Sequence, residues 1–214
     1  ANRALFAVDR SIGPGPLHLV VSNPNAFVRE DRLRMPPECP SPVFDSEMPR
    51  LSEEKRRALL RILQSALPRL APPESLISIY APTSHLPRQQ QNRDALFQKA
   101  FAHVAARRIA DAARLIRGCG EGLTPSGDDF LCGWMLALRL QGKKAQARYL
   151  LPHALGQNAV SNAFLGMAAK GRVNGAVKNL LATPTAARVR TVCTFGHSSG
   201  ADLLCGMWFG LSPQ

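Results

Sequence analysis

The sequence predicts an α+β protein, with a small sheet-containing N-terminal part followed by a mainly α-helical bundle. Three observations lead there. Two short apolar runs of strand length, ALFAV (4–8) and LHLVV (17–21), flank a GPGP turn at 13–16. From about residue 88 onward, apolar residues recur at helical spacing. Between these regions, APTSHLPRQQQ (81–91) is polar and proline-bearing, which suits a boundary. The expected division is therefore 1–87 and 88–214, in a chain long enough to bury a proper core.

The elements follow in order. After the two strands, RMPPECPSPVF (34–44) is too rich in proline for regular structure. Ser52 then precedes EEKRRALLRILQSALPRL, with acids in the first turn and apolar residues at 59, 60, 62, 63, 66, 67 and 70. That is a capped amphipathic helix, stopped by Pro72-Pro73. SLISIY (75–80) alternates like a further strand. NRDALFQKAFAHVAARRIADAARLIRG (92–118) keeps one apolar stripe and reads as a single long helix closed by Gly118 and Gly120. Helices are then expected over about 126–141, 143–155, 157–170 and 173–181, and from about Ser199 to 210.

Composition narrows the function classes. Lys and Arg number 27 against 15 acids, a formal charge of +12, which favours an anionic partner. The basic residues are scattered, no zinc-finger spacing occurs, and only 6% of residues are aromatic, poor material for stacking bases. A nucleic-acid module is therefore disfavoured against a solvated basic surface. The 5 cysteines include no C-x-x-C pair, and neither a signal peptide nor a membrane-length apolar run is visible. Reduced thiols in a cytoplasmic protein are expected. Ala1 in place of an initiating Met is compatible with residues upstream.

The chemistry concentrates in a repeat. EGLTPSGDDFLCGWM (121–135) is echoed by SGADLLCGMW (199–208), so that S-G-x-D-x-L-C-G occurs twice. One reading is structural: Ser126 and Ser199 cap two helices, with Asp129 and Asp202 reaching back as a shortened capping box. That leaves Asp128, the glycines at 118, 120, 122 and 127, and Gly196-His197 unexplained. Glycines around a helix start let backbone N–H groups turn toward an anion. Gly133 and Gly206, one turn inside each helix, predict a close crossing that sets the two N-termini side by side. Ser126, Asp128, Asp129, His197, Ser198, Ser199 and Asp202 would then converge. His197 precedes a helix start, where a neutral imidazole is favoured and can act as acid or base. Three carboxylates beside an anion cradle need a reason. Capping consumes them, or a cation such as Mg²⁺ bridges them to the ligand, or they meet the N–H groups of an amide-bearing substrate.

These stretches also resemble a known family. GCGEGLTPSGDDFLCG followed by FGHSSGADLLCGMWFG is similar to the AllH family, the third subunit of bacterial oxamate carbamoyltransferase in allantoin breakdown. The family signature is G-x-G-x-G-L-T-P-S-x-D-D-x-L-x-G, with a later G-H-[ST]-S-G-A-D. AVSNAFLGMAAKG (159–171) resembles the stretch between them. The likeness spans roughly 90–211, and Glu121 stands where the family usually has Pro. It implies a subunit that works with others on carbamoyl phosphate, oxamate or a similar small amide or carboxylate. In that reading Gly120, Gly122, Thr124, Ser126, Gly127, Ser198, Ser199 and Gly200 bind the substrate anion. Asp128, Asp129 and Asp202 orient a metal or an amide nitrogen, and His197 moves a proton. The alternative is a non-catalytic assembly or regulatory subunit in which the motifs are helix caps and a helix–helix contact.

Overall fold

The computed structural model describes residues 6–8, 12–20, 43–82 and 85–213. Strands β1 (Phe6–Val8) and β2 (His18–Val20) pair in parallel, Phe6 opposite His18. Everything else regular is helical: α1 (Glu53–Leu70), a 3₁₀ turn (Leu76–Ile79), α2 (Arg88–Ala105), α3 (Ile109–Ile116), α4 (Ser126–Leu140), α5 (Lys144–Ala154), α6 (Ala159–Lys170), α7 (Gly175–Ala182), α8 (Ala186–Cys193) and α9 (Ser199–Leu211).

This corrects the α+β expectation: the described protein is mainly helical. The two strands are three residues long each, too little to form a layer. The third expected strand, SLISIY, is instead the 3₁₀ turn. Ser75 turns the chain there, its Oγ donating to the Pro72 carbonyl at 2.6 Å and accepting from Ile77 N at 3.3 Å. Leu76, Ile77 and Ser78 are all buried, which a strand with one solvent face would not allow. Most of the proline-rich stretch, residues 34–42, lies outside the described residues, as do Ala4, Leu5, Val21 and Cys39.

Other differences are local. The single helix expected over 92–118 is split into α2 and α3 at Arg107, whose φ of 59° is left-handed. Both helices bury apolar residues, Phe97, Ala100 and Val104 in α2 and Ala112, Ala113 and Ile116 in α3, so periodicity alone hides the break. Helix α8 carries no glycine-based stop and only eight residues. Its start is set by Thr185, whose hydroxyl accepts from Arg188 N at 3.4 Å. Ser52 caps α1 as expected, accepting from Lys55 N at 3.3 Å.

One apolar core runs through the bundle. It joins Leu59, Leu63 and Leu67 of α1 and Leu76 of the 3₁₀ turn to Phe97, Phe130, Met135, Leu165, Leu180, Val192, Leu204 and Phe209. Helix α4 is its axis: 14 of its 15 residues are buried, so it is covered on every side rather than amphipathic. Its most extensive partner is α9. At the far end from the helix starts, Phe209 stacks on Phe101 with centroids 4.6 Å apart and meets Trp134 edge-on at 5.2 Å.

A glycine elsewhere in the bundle gives a contrast. Gly166 lies inside α6, and a Cβ built there would meet nothing within 4 Å. Gly166→Ala should therefore raise stability by about 0.5–1 kcal/mol, through lower unfolded-state entropy, as read by denaturant unfolding.

Candidate functional site at the paired helix starts

The sequence repeat is a structural repeat. In the first copy α3 leads into α4; in the second α8 leads into α9. Cys119 N donates to Ile116 O at 3.0 Å, and Phe195 N donates to Val192 O at 3.1 Å. Gly127 N donates to Cys119 O at 2.8 Å, and Gly200 N donates to Phe195 O at 3.1 Å. Gly120 and Gly196 both hold positive φ, 112° and 59°. Gly127 and Gly200 are each seated so tightly that a Cβ would fall 1.8 Å from the carbonyl oxygen of Ile116 or Val192.

The two copies meet about a local two-fold relation. A Cβ on Gly133 would lie 1.9 Å from Leu203 O, and one on Gly206 would lie 1.9 Å from Phe130 O. Leu203 and Phe130 are themselves equivalent positions, three residues before each glycine. The glycines thus let the two backbones touch, as the spacing predicts, and bring the N-termini of α4 and α9 together. Thr124 Oγ1 and Ser199 Oγ lie 2.9 Å apart across this junction.

The capping-box reading does not survive in the form the spacing suggests. Ser126 and Ser199 are the first helical residues. The cap positions are Pro125 and Ser198, and neither makes a side-chain cap bond. The serines instead face the opposite copy. The Ser126 hydroxyl favours the charged form of Asp202, and the Ser199 hydroxyl does the same for Asp129.

The three carboxylates have different fates. Asp128 is buried, with Oδ1 accepting from Gly118 N at 2.7 Å, so it ties the end of α3 to the start of α4. Asp202 is wholly buried and fully engaged: Leu76 N donates to Oδ1 at 2.6 Å and Ser198 Oγ donates to Oδ2 at 2.8 Å. Burial raises its pKa, and these donors with the Ser126 hydroxyl pull it back. Asp129 is 8% exposed, and its Oδ2 is buried without a hydrogen-bond partner. Burial pushes its carboxyl well above the usual range; the Ser199 and Thr124 hydroxyls oppose that, while Asp202 and Asp128 add to it.

The remaining expected residues fall on the junction's outer side. Gly120, Glu121 and Gly122 are exposed, and Thr124 is half-buried. Among the described residues, the N–H groups of Gly120, Gly122, Ser126 and Ser199 meet no backbone carbonyl, whereas those of Gly118, Gly127 and Gly200 are engaged. His197 is exposed on the turn before α9. Among the described residues no three His, Cys, Asp or Glu side chains assemble as a metal-ligand set. With Asp128 and Asp202 occupied by N–H and O–H donors, the three acids do not offer a Mg²⁺ cage.

Sequence reading missed two contributors. Leu76 supplies a backbone donor, invisible in side-chain chemistry. Arg93 fixes it there: its guanidinium donates to Glu74 O at 2.6 Å, Ser75 O at 2.9 Å and Ser78 Oγ at 3.2 Å, and pairs with Asp94 at 3.2 Å. Nothing in the amphipathic pattern of α2 marks Arg93 out from its basic neighbours.

Residues 116–211 match the family model described as oxamate carbamoyltransferase subunit AllH. Over this segment the chain is similar to the AllH family. The AllH segment opens at Ile116, whose carbonyl seats Gly127, and closes at Leu211, the last residue of α9. It therefore holds both copies of the repeat, while Leu76 and Arg93 lie outside it. No solved structure matches the chain. No helix among the described residues is long and apolar enough to cross a membrane.

Proposed function

We propose that this chain is a subunit of an oxamate carbamoyltransferase type of assembly, working with other subunits, and that it holds a small anion where α4 and α9 begin. The observation that carries the reading is the Gly133/Gly206 crossing, which places two helix N-termini side by side inside the AllH segment. Two aligned helix starts add their partial positive ends, and the N–H groups of Ser126 and Ser199 have no carbonyl partner among the described residues. Thr124 and Ser199 supply hydroxyls, and Gly120 and Gly122 let the loop backbone approach a ligand. His197, exposed beside the site, is the group that gives or takes a proton.

The carboxylates do not oppose this assignment. Asp128 accepts from Gly118 N, Asp202 accepts from Leu76 N and the Ser198 hydroxyl, and Asp129 binds a proton more readily than an ordinary carboxylate. Their structural engagement also supports an assembly role, in which the same residues hold the subunit's shape for its partners.

Ligand-dependent melting of the full chain tests the anion site. Phosphate, carbamoyl phosphate, oxamate and oxalurate are each added with and without Mg²⁺. A ligand at 100 times its Kd should stabilise by about 2.7 kcal/mol. The shift should not require Mg²⁺, given the absence of a ligand set among the described residues. No shift with any of the four would overturn the anion-site reading and leave the assembly role.

A further inference from the structure

The repeat contains its own comparison. Asp129 and Asp202 occupy equivalent positions, three residues after Ser126 and Ser199, yet only Asp202 has both oxygens satisfied. Its two donors are absent from the first copy for identifiable reasons. Ser198, which donates to Asp202 Oδ2 at 2.8 Å, is replaced at the equivalent position by Pro125, which has no hydroxyl. Leu76 N, which donates to Asp202 Oδ1 at 2.6 Å, belongs to a 3₁₀ turn that occurs once. Asp129 has the Ser199 and Thr124 hydroxyls beside it, yet its Oδ2 is buried without a partner, in a residue more than nine-tenths buried. Leaving such an acceptor unpaired is costly, and an orphaned buried oxygen calls for a group that completes it.

We infer that Asp129 is the specificity residue of the proposed site, and that it recognises the N–H of a small carboxamide or carbamoyl group in the way Asp202 recognises the backbone amide of Leu76. The inference rests on the anion-site reading and adds the second half of the ligand. The anionic end lies against the N–H groups of Ser126 and Ser199, and the amide end lies against Asp129. The loop over 120–123, which leads into α4, is exposed. The chemistry is self-consistent whether or not the carboxyl carries a proton. An ionised carboxylate accepts an amide N–H. A protonated one pairs with a carboxamide at two points, accepting N–H at its carbonyl oxygen and donating O–H to the amide oxygen.

The test compares oxamate with pyruvate, which has the same charge and shape but a methyl in place of the amide NH₂, and with oxalate, which has an oxygen there. Dissociation constants are measured by calorimetry on the full chain, on Asp129→Leu and on Asp129→Asn. The wild type should bind oxamate at least roughly tenfold more tightly than pyruvate, because a site built to meet an N–H discriminates strongly against an analogue that lacks it. Asp129→Leu should bind both alike, at the wild-type pyruvate level. Asp129→Asn, which keeps one acceptor, should fall between and serves if the leucine variant does not fold. Equal binding of all three anions by the wild type overturns the role of Asp129 and leaves the anion site standing. Binding of none by the wild type overturns both.

Discussion

Gly133→Ala should prevent the chain from reaching its native state at 37 °C, and Gly206→Ala should do the same. The added methyl would sit 1.9 Å from a backbone carbonyl oxygen in either case, and backbone, unlike a flexible side-chain end, has nowhere to go. Relief requires α4 and α9 to separate along their contact, which also carries Phe130, Leu204, Met207 and Phe209. Overpacking of a well-packed core typically costs about 1–3 kcal/mol, and a clash with main chain exceeds that range; a typical domain has only about 5–15 kcal/mol in total. Denaturant midpoints, or loss of cooperative unfolding, report the result. The matched size of the two effects is the informative part, because the local two-fold makes the sites equivalent. A mild Gly206→Ala beside a severe Gly133→Ala would show that the crossing is not symmetric.

The two equivalent aspartates should respond differently to substitution. Asp202→Ala strands Leu76 N and the Ser198 hydroxyl, both buried or half-buried donors, and opens a small void. A cost of about 3 kcal/mol is expected from two unpaired donors alone. Asp129→Asn replaces a carboxyl that has one oxygen unpaired, so stability should hold or rise by up to about 1 kcal/mol while amide selectivity weakens. Urea unfolding at fixed pH measures both. The pH dependence follows from the direction of the shift. The Asp129 carboxyl is raised above its ordinary 3.8 in the folded state, so between that value and the raised one the native state holds more protons than the unfolded state. Its contribution is therefore fully present below about pH 3.8 and is lost as pH rises through the folded value. The stability of the wild type minus that of Asp129→Asn should decline over that interval. An increase would mean the carboxyl is charged and stabilised in the native protein.

Much of this helix junction was legible because glycine and repetition are strong signals. The spacing of Gly133 and Gly206 predicts a crossing of the two helices, and the carbonyl contacts at both positions bear that out. The serines mislead, since Ser-x-x-Asp at a helix start looks the same whether the hydroxyl turns back to its own helix or across to a neighbour. Only the neighbour's position decides, and that is tertiary information. The fold class failed for a related reason. SLISIY has a strand's composition, but a residue buried on all sides loses the alternation that separates strand from helix, and Asp202 needed a backbone N–H at Leu76. Likewise, a left-handed arginine at 107 breaks a helix without any glycine or proline to announce it.

The burial of α4 on all sides has a consequence for how the protein is made. Its most extensive cover is α9, which begins 73 residues further along, counting from 126 to 199. At about 5–20 residues per second, a ribosome takes roughly 4–15 s to deliver it. Throughout that interval the Phe130, Gly133 and Ala137 face of a finished helix waits without its mate, though α5 and α6 arrive to shield the rest. The nascent chain thus carries a sticky stripe late into synthesis. Stalling or truncation before residue 199 would leave a species whose fate belongs to chaperones and proteases rather than to folding.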